Sequence, residues 1–245
     1  MVKSLAHEAI YDAAEAMLRD VPRGRLLDVP AGEGALAQRL LALGFDVHCC
    51  DLYPQIFGLP GVEIRQGDLS ATLPYEDASF DHVVCVEGLE HIENPHQAVR
   101  EFARLLRPGG HLVVSVPNIL NLEERFKWLL HGYSSHFKPL SREALKRVSR
   151  EFGGIEEVAL HINPISYAEL RYILEKYGFS LVEVRHDRPK NGMWLFRPLA
   201  FGIRMINRMQ SRAKRLERWS DELQSDAVLL GGNTLVVHAV KRGPV

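Results

Sequence analysis

Two glutamates and a histidine stand at a spacing that suits a reactive site. Glu87, Glu90 and His91 follow the apolar run Phe80–Val86. If the chain turns there as one helical loop, the three side chains occupy positions i, i+3 and i+4 and converge on one point. Two carboxylates and an imidazole suit Mg²⁺, Mn²⁺, Fe²⁺ or Zn²⁺, so the pattern predicts a divalent-metal site. Without a metal, His91 is the best general-base candidate; in the structural alternative the glutamates cap the next helix and the histidine packs.

A second candidate site is the glycine-rich turn Asp28-Val29-Pro30-Ala31-Gly32-Glu33-Gly34, which follows a short apolar run. An apolar strand that breaks into glycines and reopens as a helix brings backbone N–H groups close to one ligand. The stretch from Gly32 to Ala37 matches the dinucleotide pattern G-x-G-x-x-A, and Asp51 follows at a distance that suits ribose hydroxyls. One interpretation is therefore an NAD(P)-binding oxidoreductase.

The elements that must position these residues are short apolar strands that alternate with helices. Strands are predicted at Arg25–Val29, Phe45–Cys50, Val62–Gln66, Phe80–Val86, His111–Val116, Phe179–Arg185 and Thr234–Val240. A leading amphipathic helix is predicted from about Ser4 to Arg19 and is expected to cover the ligand. This rhythm predicts an α/β fold with a doubly wound, mostly parallel seven-stranded sheet and a ligand at the carboxyl ends of its strands.

Four further features accompany the glycine turn, and together they resemble the class I S-adenosylmethionine-dependent methyltransferases. They are Asp28 inside the turn, Gly67-Asp68 after the third strand, the turn LRPGG before the fifth strand, and a terminal strand pair able to end the sheet antiparallel. The resemblance covers roughly Arg25–Asn118 and the closing strands. It implies a Rossmann-like methyltransferase fold and S-adenosyl-L-methionine as the cofactor.

The resemblance also implies roles for single residues. Where the family has acid-x-Gly-x-Gly-x-Gly, this chain has Pro30 in place of the first glycine, which removes one backbone N–H. Asp28 is expected near the methionine ammonium, Asp51 at both ribose hydroxyls, and Asp68 at the adenine amino group; helix capping and turn formation are the alternatives for Asp28 and Asp68. The expected cofactor-binding residues are Asp28, Pro30, Gly32, Gly34, Asp51, Leu52, Asp68, Leu69 and Glu87.

The E-x-x-E-H element is similar to that of two metal-dependent branches of the family, the ubiquinone-pathway O-methyltransferases and the small-RNA ribose 2′-O-methyltransferases. Both have a histidine-containing loop after strand five, where this chain offers His136. The resemblance implies Mg²⁺ or Mn²⁺ held by Glu87, Glu90, His91 and His136. Without a metal, His91 is the first and His136 the second general-base candidate, so these two are the expected catalytic residues. The expected reaction is methyl transfer to an oxygen, rather than a nitrogen or carbon, of a small or lipid-like acceptor. An RNA 2′-O-methyltransferase and a non-catalytic binder that retains the fold are the alternatives.

The bulk composition is that of an ordinary globular protein. The 245 residues are 46% hydrophobic and carry a formal net charge of −1, which gives no global attraction to nucleic acid or anionic membranes. The odd set Cys49, Cys50 and Cys85 favours reduced thiols and the cytoplasm, and neither a signal peptide nor a membrane span is expected. We predict a single methyltransferase domain over 1–245, with a helical cap at 119–164 and an insertion at 188–232.

The insertion is strongly basic. From Arg188 to Trp219 there are nine Lys or Arg and one Glu, a local charge of +8, so the remainder of the chain carries −9. The stretch from Phe196 to Leu216 has apolar residues at steps of three or four and arginines opposite, which predicts one basic amphipathic helix. Its arginines are either solvated while it packs on the domain or on a second subunit through 193–219, or bound to the inner face of an anionic membrane. An RNA path is less favoured because aromatic stacking platforms are few.

Overall fold

A twisted seven-stranded sheet forms the centre of the computed structural model, which describes residues 4–151 and 160–243. The strands are β1 (Arg25–Asp28), β2 (Asp46–Asp51), β3 (Ile64–Gln66), β4 (Phe80–Cys85), β5 (Leu106–Pro117), β6 (Phe179–His186) and β7 (Thr234–Lys241). Their order is β3-β2-β1-β4-β5-β7-β6, and β7 runs antiparallel to both of its neighbours while the other pairs are parallel. The predicted mostly parallel, doubly wound sheet is confirmed.

Helices cover both faces of the sheet. They are α1 (Glu8–Leu18), α2 (Ala35–Ala42), α3 (Pro95–Leu105), α4 (Leu122–His131), α5 (Arg142–Glu151), α6 (Tyr167–Lys176), α7 (Arg197–Arg208), α8 (Arg212–Glu217), α9 (Ser220–Leu223) and α10 (Asp226–Leu229). One buried cluster joins α1 and α2 to the sheet, and another joins α3 and α6 to it. Because each fully buried large apolar side chain contributes about 1.5–3 kcal/mol, these two layers hold the strand ends rigidly in place.

Two helix starts follow from the local sequence. The Asn94 side chain accepts a hydrogen bond from the backbone N–H of Gln97 (3.3 Å), and Pro95 occupies the first turn. Ser166 likewise accepts from the backbone N–H of Glu169 (3.2 Å). Each cap satisfies one of the amide groups that a helix leaves unpaired at its amino end. Part of the predicted cap at 119–164, residues 152–159, lies outside the described residues; the assignment of 1–245 to one domain stays a prediction.

The segment between β6 and β7 differs from the single basic helix that the sequence predicts. The chain forms α7, breaks at Met209-Gln210-Ser211, and starts α8 with Ser211, whose side chain accepts from the backbone N–H of Lys214 (3.3 Å). The apolar side of α7 also faces outward, with Ile206 67% exposed and Met209 86% exposed. The prediction of one continuous helix is therefore wrong. Periodicity identifies the two faces of a helix, but it does not say which face the protein covers.

Three histidines stack across the seam between the parallel strands and β7. The ring centroids of His82 and His111 lie 5.3 Å apart, those of His111 and His238 lie 5.1 Å apart, and His111 Nδ1 lies 2.9 Å from His238 Nε2. Burial, aided by the neighbouring His111, lowers the pKa of both His82 and His238 to about 4. The stack is therefore neutral near pH 7.

The helices do not include a membrane span. Throughout 4–151 and 160–243, none is both long enough and apolar enough to cross a bilayer.

Candidate functional site

A cavity of about 320 Å³ opens at the carboxyl edge of the sheet, within the range of about 300–1,000 Å³ typical of ligand sites. The turns after β1, β2, β3 and β4 meet there because the carboxyl ends of parallel strands share one edge. Of the residues expected at the cofactor, those that line the cavity are Pro30, Gly32, Asp51, Leu52, Asp68, Leu69 and Glu87. Asp28 and Gly34 do not line it.

Asp51 organises the centre of this edge. One of its carboxylate oxygens accepts from the backbone N–H of Gly32 and the other from that of Tyr53, both at 2.8 Å. Asp51 is only 5% exposed, yet each oxygen retains lone pairs toward the cavity because a carboxylate offers about four acceptor positions. The arrangement leaves Asp51 able to accept two vicinal hydroxyls, as the ribose of a nucleotide presents.

The glycines of the turn serve close packing as well as the ligand. A Cβ on Gly32 would lie 2.9 Å from Leu5 Cδ1, and one on Gly34 would lie 2.8 Å from the Phe57 ring. Both residues have positive φ, 53° and 96°, which favours glycine. The Gly32 amide donates to Asp51 and the Gly34 amide to the Ala31 carbonyl, so these two N–H groups are used within the protein. Gly32 still lines the cavity and Gly34 does not, so a close approach to the ligand stays a prediction for Gly32.

Asp28 lies beneath the cavity. It is 1% exposed and accepts a hydrogen bond from the backbone N–H of Ala37, in the first turn of α2. Burial, with the charge of Asp51 adding to it, raises the pKa of Asp28 to about 8. Its Oδ2 has no hydrogen-bond partner among the described residues. Helix capping, the alternative role for Asp28, is thus observed, and the unpaired oxygen still fits a bound donor such as an ammonium group or water.

Asp68 and Leu69 border the other end of the cavity. Asp68 Oδ1 accepts from the backbone N–H of Ser70 (2.7 Å), so this carboxylate also forms the turn that was its alternative role. Gly67 keeps this turn close to β2, because a Cβ there would lie 2.5 Å from Cys50 Sγ. A flat apolar ring would meet Leu69 on one side and the acceptor oxygens of Asp68 at its edge.

Pro30 packs against the turn after β4 and also lines the cavity. A Cβ on Gly88 would lie 2.7 Å from Pro30 Cδ, so the turn after β4 rests directly on the proline ring. Sequence reasoning treated Gly88 only as part of the E-x-x-E-H element. The sequence did carry a signal for this role of Gly88, because a glycine close to a buried strand often marks a close approach of two backbone segments.

A polar cluster adjoins the cavity on the side of β4. One potential ligand atom from each of Glu90, His91 and His161 lies within 4.8 Å of the others. The His91 and His161 rings are 4.8 Å apart, and the His136 ring stacks on His161 at 6.1 Å. Of the four residues expected at a metal, Glu90 and His91 belong to this group, whereas Glu87 and His136 lie beside it.

The helical loop assumed for Glu87, Glu90 and His91 does not form. Glu87 has φ +52°, and only Leu89–His91 makes a short 3₁₀ turn. Glu87 instead accepts from Ser115 Oγ (3.1 Å), and its backbone N–H donates to the same oxygen (2.8 Å). Burial raises the pKa of Glu87 to about 7, against the opposing effect of that hydrogen bond. Glu87 thus lines the cavity just after β4, whereas Glu90 does not line it.

The cluster fits a divalent cation. Glu90 is fully buried, and neither of its carboxylate oxygens accepts a hydrogen bond from another described residue. Burial and the charge of Glu87 raise the pKa of Glu90 well above its usual range, a cost that a bound cation would offset. His91 Nδ1 lies 2.8 Å from the Leu160 carbonyl oxygen, a contact in which Nδ1 donates and the lone pair stays on Nε2. Burial lowers the pKa of His161 to about 4, which keeps this imidazole neutral as ligation requires.

Sequence reasoning missed three contributors. His161 comes from a segment 70 positions beyond His91, so no local spacing could identify it. Leu5 enters the cavity lining from the stretch before α1. Glu124 is buried in α4, where it accepts from the backbone N–H of Ser135 (2.6 Å) and from Lys127 (3.0 Å), and so fixes the loop that carries His136. Only Glu124 had a local signal, the capping pattern Asn121-x-x-Glu124.

Comparison with known proteins agrees with this geometry. Residues 27–114 match the family model described as "Methyltransferase domain". A ubiquinone biosynthesis O-methyltransferase of Xanthomonas oryzae pv. oryzae is 36% identical over 108 residues, which is 40% of this chain and 45% of that enzyme. The chain thus matches less than half the length of that relative.

Solved structures extend the likeness of fold to nearly the whole chain. A Thermotoga maritima S-adenosylmethionine-dependent methyltransferase, described as a possible histamine N-methyltransferase, has a TM-score of 0.56 at 16% identity, covering 96% of this chain and 88% of that one. Phosphoethanolamine N-methyltransferase 2 of Haemonchus contortus, in complex with S-adenosyl-L-methionine, has a TM-score of 0.51 at 17% identity, covering 96% and 53%. The family model matched over residues 27–114, the strand order and the acidic residues at the carboxyl edge together support a methyltransferase domain of the class I, S-adenosylmethionine-dependent type.

Proposed function

We propose that the protein transfers a methyl group from S-adenosyl-L-methionine to an oxygen of a small or lipid-like acceptor. One observation carries the proposal: the group formed by Glu90, His91 and His161 adjoins the same cavity that Asp51 and Asp68 border. The name of the Xanthomonas oryzae relative, an O-methyltransferase of ubiquinone biosynthesis, supports oxygen over nitrogen or carbon. S-adenosyl-L-methionine supplies an electrophilic methyl group on a sulfonium sulfur.

The residues of the chain position the two reactants. Asp51 accepts the ribose hydroxyls, Asp68 accepts the adenine amino group, and Leu69 packs on the ring. Glu87 lines the same cavity and adds a buried carboxylate that favours a positively charged group such as the sulfonium. Holding both reactants in one cavity converts an encounter in solution into a positioned reaction, which is the main effect required of such an enzyme.

The cluster would prepare the acceptor oxygen. Glu90, His91 and His161 would hold Mg²⁺ or Mn²⁺, and a cation there would lower the pKa of an acceptor hydroxyl and orient it. In the absence of a cation, His91 accepts the hydroxyl proton at Nε2, with its Nδ1 held by the Leu160 carbonyl. Because the rest of the chain carries −9, we favour an uncharged or weakly charged acceptor over RNA.

The three cysteines are free and buried, and burial raises the pKa of each thiol. Such inert thiols suit a reducing compartment, so we place the reaction in the cytoplasm, with the acceptor offered at the inner face of a membrane.

The test measures S-adenosylhomocysteine release with acceptors that carry vicinal hydroxyls, with and without an alkyl chain. We expect turnover with added Mg²⁺ or Mn²⁺, its loss in EDTA, and a decrease of about 100-fold or more in Glu90→Gln, which keeps the side-chain shape. Glu93→Gln, at an exposed position nearby, is the matched control. Equal turnover in EDTA would remove the metal and leave His91 as the base. Tight NADH binding without S-adenosylhomocysteine binding in calorimetry would contradict the methyltransferase function itself.

A further inference from the structure

Helix α7 turns its apolar side away from the protein. Phe201 is 64% exposed, and Leu199, Met205, Ile206 and Met209 are also exposed, as is Trp194 just before the helix. At 100° per residue, the side chains from Leu199 to Met209 cover an arc of about 160°. Together, Trp194, Leu199, Phe201, Met205, Ile206 and Met209 form what we call the outward apolar face.

The opposite side of α7 already has its partners. Ala200 and Asn207 are buried, and Asn207 donates to Asp221 (2.9 Å). Arg204 donates to the Gln224 carbonyl (2.8 Å) and pairs with Asp226 (2.5 Å). A rotation that buried the apolar side would break these polar contacts. These contacts fix the orientation of the helix. The outward apolar face therefore stays exposed among the described residues and is available to a partner.

Unpaired basic residues border this face. Arg197 and Arg208 lie on α7 within about 40° of Phe201, and Arg212, Lys214 and Arg218 follow in and after α8; all five are exposed. Within 4–151 and 160–243, none of these five forms an ion pair, in contrast to Arg204 and Arg215. An outward apolar surface with free cations along its border matches a helix that lies in the plane of an anionic membrane.

We propose that the outward apolar face docks on a lipid bilayer that contains anionic lipids. Apolar side chains enter the acyl boundary, while Arg197 and Arg208 meet the phosphate groups. A second copy of the chain fits less well. A twofold dimer through this face would use the same patch twice and so would place the unpaired bases of one copy near those of the other.

The docking face is joined to the candidate catalytic edge through α4. Phe196 packs on Phe126 of α4 with ring centroids 5.6 Å apart, and Lys190 pairs with Glu123 at 2.8 Å. The neighbouring Glu124 holds the loop of His136, which stacks on His161. Direct contacts thus link the outward apolar face to the candidate catalytic edge, although docking itself requires neither cofactor nor turnover.

The experiment is sedimentation with vesicles of phosphatidylcholine alone or mixed with phosphatidylglycerol, at low and high salt. We expect the wild type to sediment with the mixed vesicles and to be released by salt. The charge variant Arg197→Glu, Arg208→Glu, Arg212→Glu should bind about 100-fold more weakly or worse, since each base contributes roughly a fivefold factor. The apolar variant Phe201→Ser, Ile206→Ser, Met209→Ser should lose binding at either salt concentration.

Control variants carry changes of the same kind at surfaces outside the outward apolar face. Arg142→Glu, Arg147→Glu, Arg150→Glu alters net charge equally on α5, and Tyr172→Ser with Val182→Ser removes exposed apolar groups outside the face. Both controls should bind like the wild type. The proposal is overturned if the wild type does not sediment with mixed vesicles at low salt, or if the apolar variant binds as well as the wild type. A wild-type dimer in sedimentation velocity that becomes monomeric in the apolar variant would assign the face to a second copy instead. Calorimetry with S-adenosylhomocysteine reports on the methyltransferase site separately.

Discussion

The parallel half of the sheet and the segment between β6 and β7 follow the same chemical rules with different outcomes. From β1 to β5, every predicted strand is present, and the acids after the strands meet at one edge. The strand ends lie within two residues of the prediction except at β5, which begins at Leu106 and includes the LRPGG stretch that was predicted as a turn. In the later segment the predicted helix is broken at Ser211, and its apolar side faces outward. Every residue of the strand Phe80–Cys85 except Asp81 is buried, so this strand fits only the centre of a sheet. An amphipathic helix has two stable orientations whenever its polar side also finds partners.

The largest expected effect is at the parallel half. Asp51→Ala removes the acceptor for the Gly32 and Tyr53 amides and for the ribose hydroxyls, so affinity for S-adenosylhomocysteine should decrease by about 100-fold or more. Isothermal titration calorimetry measures it. Asp46→Ala, at the exposed opposite end of the same strand, should leave affinity unchanged. Wild-type affinity in Asp51→Ala would show that this edge is not the cofactor site.

The histidine stack tests the seam where the two regions meet. NMR titration should find His82 and His238 neutral down to about pH 4. Since the unfolded chain takes up these protons near pH 6.5, the contribution of both residues to stability is full above that pH and is lost as pH falls toward 4. The loss is about 3 kcal/mol per histidine at most, because one pKa unit corresponds to about 1.4 kcal/mol. Titration of either ring near pH 6.5 would show that the seam is open to solvent.

A pair of isoleucines tests which side of α7 packs. Ile203 contacts the small buried cluster that includes Leu122 and Leu229, whereas Ile206 is mostly exposed. Ile203→Ala should lower the free energy of unfolding by about 1–3 kcal/mol, and Ile206→Ala should change it by less than about 0.5 kcal/mol. Urea denaturation of the two variants compares them directly. The reverse order would mean that the apolar side of α7 faces inward, as a helix on an ordinary soluble domain does.

The smallest effect concerns the break between α7 and α8. Ser211→Ala removes the acceptor for the Lys214 amide and should cost about 1 kcal/mol of stability or less. Gln210→Ala, next to it, serves as the control, and thermal unfolding monitors both variants. A stabilised Ser211→Ala protein with increased helical circular dichroism would mean that the segment prefers the single helix.

The sequence predicted whatever depended on local pattern or on the common edge of parallel strands. Asp51 and Asp68 were found because each lies at or just beyond the end of a predicted strand. Glu87 was wrongly placed on a helical turn with Glu90 because its positive φ has no signal in a non-glycine residue. His161 and Leu5 escaped because they reach the site through tertiary packing.

The contact of Leu5 with Gly32 also bears on the rate at which a ligand leaves the cavity. Leu5, Ala6 and Tyr11 line the cofactor cavity, and the missing Cβ of Gly32 leaves room for the leucine methyl group. We expect spent cofactor to leave at a rate set by how often the stretch before α1 moves away from the cavity. We expect Leu5→Ala to shorten the residence of S-adenosylhomocysteine, measured by stopped-flow displacement, while Leu41→Ala, exposed on α2, leaves it unchanged. The sheet would determine what binds, and the stretch before α1 would determine how long it stays bound.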